Sequence, residues 1–192
     1  MLWRPAGRVW EPATIETSPV PLAEMRDHAR APIEDDALLA VYLAAGVSQV
    51  ERLTQRLIVE RAAVLRLPGW PPVGMPIELP GGPVSGVTSV TYASAGGGDV
   101  TLDPGDYTVA GRAPARLALR LGAEPLLADV PLPLTAAYVV GHGECPPALA
   151  VAAMMIGAEL YDRRAETSER RLDAVPYGAA RLMAPWRIPA IG

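Results

Sequence analysis

The residues best placed to do chemistry stand in one short run, Gly141-His142-Gly143-Glu144-Cys145-Pro146-Pro147. A thiol, an imidazole and a carboxylate so close together fit either a metal site or an activated nucleophile. A zinc site takes three or four ligands, and His28 is the only other histidine. A strand-end histidine and a thiol tucked in before a helix therefore account for the run with less strain. Cys145 is the lone cysteine, so no internal disulfide framework exists. Gly96-Gly97-Gly98 has the look of a phosphate loop, but such a loop needs its lysine and the chain has none. The same lack excludes Schiff-base chemistry. The carboxylate pairs Asp35/Asp36 and Asp103/Asp106 fall where a helix starts and where a turn is expected, so capping is their predicted work. No Gly-x-Ser-x-Gly elbow occurs. The expectation is a protein without catalytic, cofactor-binding or metal-binding residues; a small hydrolase using His142 is the enzymatic alternative.

Binding residues are the stronger signal. Trp186 stands between Pro185 and Arg187 in a tail too short for a core of its own, and tryptophan and arginine are favoured interface anchors. Trp3 and Trp10 lie in a stretch, Met1 to Ser18, that has no helical or strand period. It is expected to be a flexible arm, ordered only against a neighbour. Arg163, Arg164, Arg170 and Arg171 form a basic cluster. It reads either as a solvated helix end, with Glu159 and Arg163 one turn apart, or as a contact for an acidic partner. All 17 basic residues are arginine, and the net charge of -4 gives no footprint for gripping nucleic acid. A DNA-binding packaging factor would have to bind against that charge.

These residues need elements to hold them. At 192 residues the chain can bury about 70 % of its unfolded surface, enough for one domain without staples. Pro21 opens a short helix with Leu22, Met25 and Ala29 on one face. Glu34, Asp35 and Asp36 start a second, with Leu39, Tyr42, Gly46, Val50, Leu53 and Leu57 at helical spacing. From residue 59 to 143 the period becomes strand-like, as in Val87 to Tyr92 and Leu117 to Leu121, with further strands at 59–67, 77–79, 107–110 and 134–140. Gly96 to Asp99 reads as a hairpin tip and Asp103 to Asp106 as a turn. Pro146 and Pro147 then open an apolar helix ending in Asp162-Arg163-Arg164. A short apolar turn, Ala179 to Met183, precedes the tail. The predicted class is α+β: two helices (about 21–58), an antiparallel β insert (59–143) and two helices (146–185), in a domain of residues 19–192 behind the arm. No run of about 20 apolar residues is present, and Arg4 and Pro5 interrupt any signal-like start, so a soluble, cytoplasmically made protein without membrane contact is expected.

Two blocks of sequence carry a resemblance. One is GHGECPPALAVAAMMIGAELYDRR followed by VPYGAARLMAPWR. The other is Glu78-Leu79-Pro80, Pro83-Val84, Val87-Thr88-Ser89-Val90-Thr91-Tyr92, the glycine hairpin and Leu102-Asp103-Pro104-Gly105-Asp106-Tyr107. In their order along the chain, over roughly Pro19 to Arg187, they resemble the head-to-tail connector (adaptor) family of long-tailed bacteriophages and gene transfer agents. The resemblance implies a structural protein of the virion neck, made in the bacterial cytoplasm. It implies a twelvefold homo-oligomeric ring with helices as its body. The partners implied are the portal protein, a stopper or tail-terminator protein, and double-stranded DNA that passes without specific binding. It implies docking on the portal through the segment around Pro185, Trp186 and Arg187. Trp3, Trp10 and the four arginines remain as candidates for contacts between subunits. A tail terminator or stopper of the same neck is the nearest alternative.

Overall fold

The computed structural model describes residues 2–72, 74–120, 126–163 and 175–188. They fold as an α+β protein with four helices and antiparallel sheets. The chain divides into two units, one of Met1–Thr14 with Glu60–Gly141 and the other of Ile15–Val59 with His142–Gly192.

The first unit is made of strands: β1 (Val9–Pro12), β2 (Arg61–Leu67), β3 (Ile77–Leu79), β4 (Val84–Ala93), β5 (Asp99–Thr101), β6 (Tyr107–Ala110), β7 (Ala115–Leu119) and β8 (Leu134–Val140). One sheet runs β1-β2-β8-β4-β5 and the other β3-β7-β6, with every strand pair antiparallel. Alternation decides which side chains are inside. Along β8, Leu134, Ala136, Tyr138 and Val140 are buried, and Ala63, Leu65 and Leu67 of β2 face three of them across the ladder. In the smaller sheet Ile77 and Leu79 sit beside Leu117 and Ala115. The Val87–Tyr92 alternation lies inside the longer β4, which carries two register irregularities between Val84 and Ser89. The expected strand through Leu121 ends at Leu119, and Leu121 is outside the described residues. Asp103–Asp106 forms the expected turn, as a 3-10 turn at Pro104–Asp106.

The arm differs from expectation. Instead of lacking order of its own, it supplies β1, whose residues Val9 to Pro12 pair with Arg66 to Ala63 of β2. Farther back, the Trp3 N–H donates to the Pro76 carbonyl at 2.9 Å, joining the arm to the start of β3. The physical reason is that an edge position accepts a short strand ending in proline, because its missing N–H faces no partner. Four residues are too few to reveal a period by themselves.

The second unit is helical: α1 (Leu22–Ala29), α2 (Asp36–Thr54), α3 (Pro147–Arg163) and α4 (Tyr177–Met183). Leu39, Leu43, Val47 and Val50 of α2 pack with Leu149, Ala152, Ala153 and Ile156 of α3, Met25 of α1, and Ala179 and Met183 of α4. The backbones of α2 and α3 approach closely where glycines meet. A Cβ on Gly46 would lie 2.3 Å from the Ala153 carbonyl oxygen, and one on Gly157 would lie 3.0 Å from the Tyr42 carbonyl oxygen. The carboxylates at the start of α2 do not cap it as expected, since the Asp35 side chain makes no bond to the helix's free amides. Instead Arg26 of α1 donates to both oxygens of Asp36, at 3.1 and 2.8 Å, and the Tyr161 hydroxyl of α3 donates to Asp35. Their negative charge still suits the positive end of the helix. Among the described residues no helix is long and apolar enough to cross a membrane.

Candidate docking site at the carboxyl-terminal segment

Helix α2 ends at Thr54, and Gln55 follows in the left-handed conformation at φ 57°. The buried Thr54 hydroxyl turns back and donates to the Val50 carbonyl at 2.8 Å. Beyond the bend, the Ile58 N–H donates to the Glu51 carboxylate at 2.9 Å, so the chain is folded tightly around the helix end. The last carbonyls of a helix have no partner within it. Here the missing donor comes from the far end of the chain: the Ile188 N–H donates to the Thr54 carbonyl at 3.0 Å. Arg56 adds a second tie, its Nε donating to the Trp186 carbonyl. Burial lowers the Arg56 guanidinium below its ordinary value of 12.5, and it remains a cation at neutral pH.

These bonds fix the predicted docking residues. Pro185 is the second residue of the 3-10 turn Ala184–Trp186 that follows α4. The Trp186 ring is half-buried at the margin of the helical core and meets His142 edge-on, with ring centroids 5.5 Å apart and planes at 78°. Pro185 and Arg187 on either side are exposed. The segment is thus an anchored tryptophan carrying an outward proline and an outward guanidinium, with the chemistry of a contact surface.

The same neighbourhood is poorly suited to nucleophilic chemistry. Burial first, and the Glu51 carboxylate second, push the Cys145 thiol above its ordinary value of 9.0. A nucleophilic cysteine needs the opposite shift. Its Sγ lies 3.7 Å from the Pro146 carbonyl, and the His142 ring is engaged with Trp186. Among the described residues no group of three or more His, Cys, Asp or Glu side chains stands together as a metal site.

The candidates for contacts between subunits are scattered. Trp3 and Trp10 are half-buried in the β unit, Trp10 in β1 opposite Leu65. The Tyr138 phenol, pushed up by burial, has the Trp10 N–H pulling the other way, and its hydroxyl donates to the Pro80 carbonyl at 3.0 Å. Arg163 pairs with Glu159 one helical turn away, the ordinary surface pair. Arg164, Arg170 and Arg171 lie outside the described residues. Sequence reasoning missed a polar clasp on the arm: Glu78, only 9 % exposed in the middle of β3, is held by Arg4, whose guanidinium donates at 2.8 Å, and faces Arg8 at 3.8 Å. The available signal was an acid flanked by Ile77 and Leu79, together with two arginines in an otherwise patternless arm.

No protein-family model and no curated protein matches the chain. Solved structures do. A chain in "Neck of native GTA particle computed with C12 symmetry" is 25 % identical with a TM-score of 0.74, covering 96 % of this chain and 97 % of that one. A chain in "Virion of native gene transfer agent (GTA) particle" is 24 % identical with a TM-score of 0.76, covering 95 % and 97 %. A third, in "Neck of empty GTA particle computed with C6 symmetry", is 24 % identical with a TM-score of 0.74, covering 96 % and 97 %. Over 95–96 % of its length this chain has the fold of gene transfer agent neck and virion chains, and the likeness to head-to-tail connectors implied by its two sequence blocks is borne out.

Proposed function

We propose that the protein is a head-to-tail adaptor: a ring-forming, non-enzymatic component of the virion neck, seated between the capsid portal and the tail. The observation that carries this reading is likeness over nearly the full length of both chains to proteins of gene transfer agent necks. Particles solved with C6 and C12 symmetry support a ring of many copies, and a twelvefold one is proposed here. The helical unit forms the ring body, and the segment Pro185-Trp186-Arg187 docks on the portal. A stopper or tail-terminator protein binds the other side, and double-stranded DNA passes through without specific recognition. The raised Cys145 thiol supports a structural role over hydrolysis.

The docking assignment has a physical rationale. Trp186 is held by Arg56 and His142, so Pro185 and Arg187 are presented without a large ordering cost on binding. Each contact is small, but a closed ring presents many at once at high effective concentration.

The experiment is complementation of particles lacking this protein. DNA-filled heads without tails are expected in its absence, and adding purified wild-type protein should restore tail joining. Arg187→Glu should restore little while keeping its helical circular dichroism signal. Complete, tailed particles formed without the protein would overturn the adaptor reading. Full rescue by Arg187→Glu would overturn the docking role of the tail.

A further inference from the structure

Helix α2 has no charged side chain from Ala37 to Val50, although half of it faces water. A helix that buries one face ordinarily carries charge on the other. Here the exposed residues are Ala37, Ala40, Val41, Ala44, Ala45 and Ser48, and with Ile33 and Glu34 just before the helix, Ala37, Val41, Ala44 and Ser48 follow one another at helical spacing. Ile33 is 66 % exposed and Val41 63 %. Gly46 and the buried positions turn towards α3, so this stripe looks away from α3. A second exposed face lies elsewhere on the same unit, on α4, which packs mainly on α3. Tyr177 is 77 % exposed, the Arg181 guanidinium sits 5.8 Å from its ring centroid, and Ala184 continues the line. Tyrosine and arginine are enriched where proteins meet.

We infer that the α2 face of one copy packs against the α4 face of the next, with Ile33 and Val41 meeting Tyr177, and Glu34 meeting Arg181. The inference rests on the adaptor reading and adds the surfaces to it. Two observations select a second copy as the occupant. The faces are complementary in charge, an acid beside exposed aliphatics and a base beside an exposed aromatic. They are also different faces of one molecule, which a cyclic assembly of more than two copies requires, because its contacts are head-to-tail.

The test uses Val41→Glu and Arg181→Glu, both at exposed positions, with folding checked by circular dichroism and assembly by sedimentation velocity and native mass spectrometry. Each variant alone should lose self-association by on the order of a hundredfold, because each buries an unmatched charge. Mixed together, they should form one-to-one dimers and stop there, since each supplies the intact face the other lacks. Combining Glu34→Arg with Arg181→Glu should recover larger assemblies. The proposal is overturned if either single variant assembles like wild type, if the mixture stays monomeric, or if wild type itself stays monomeric at its solubility limit. The adaptor reading is checked separately by peptide mass spectrometry of purified particles. Wild type in the particles with both single variants assembling normally refutes these faces and leaves that reading intact; wild type absent from them refutes the reading.

Discussion

Glu78 shows how a carboxylate is kept inside a strand. Arg4 and Arg8 neutralise it from the arm, and both arginines remain about one-third exposed. Replacing it by glutamine leaves two cations facing a neutral amide, although water can partly relieve them. The expected cost is about 1–3 kcal/mol in chemical denaturation, with faster hydrogen exchange at the Val9 to Glu11 amides. Unchanged exchange there would mean that β1 is held by its ladder alone. Two acids have raised values in the folded state: the Cys145 thiol, through burial and then Glu51, and the Tyr138 phenol, through burial. Raised values mean that folding favours their protonated forms. Their contribution is therefore present at neutral pH and is lost as the pH rises past the ordinary values of 9.0 and 10.0. Denaturation midpoints followed into the alkaline range should fall, and iodoacetamide should alkylate native Cys145 more slowly than the unfolded chain. Residue identities announced the chemistry that was missing, since an absent lysine and a single cysteine are plain in any reading. They did not announce partners: nothing local ties Glu78 to Arg4, 74 residues away.

The helices were legible because their period is long and repeated. Leu39, Gly46 and Val50 mark the buried face of α2 several times over, and proline and arginine mark the ends of α3. Strand β1 was illegible because its four residues acquire a strand conformation only by pairing with β2. The crossing of α2 and α3 was half legible: Gly46 belonged to the helical face, but its approach to Ala153 depends on the partner. Gly46→Ala should cost about 1–3 kcal/mol, because the new methyl meets fixed backbone. That amounts to roughly 2–4 °C of melting temperature for each kcal/mol in a protein of this size. Gly157→Ala should cost less, since one of its close neighbours is the flexible end of Met25. Gly105→Ala, with nothing within 4 Å, serves as the control and should stay within about 0.5 kcal/mol. Equal effects at all three positions in thermal melts would remove close packing as the reason for Gly46.

For the molecule as a whole, the net charge of -4 suits the proposed sleeve for DNA better than a clamp. Purified protein should show no shift of duplex DNA mobility at physiological salt. A strong, salt-dependent shift would overturn the proposed passage of DNA without specific binding. The α+β class and the order of elements were readable from the chain because the hydrophobic period switches twice. Which pieces join was not, because it is decided by closure between distant segments. The bond from Ile188 to Thr54 is the clearest case, and it bears on how the protein is made. Synthesis runs from the amino end, so every strand of the β unit has left the ribosome while the helical unit still lacks α3, α4 and the donor that finishes α2. The donor that finishes α2 is thus among the last of the described residues to be made, and the turn that presents Pro185 and Arg187 is tied down only once the strands of the other unit are complete.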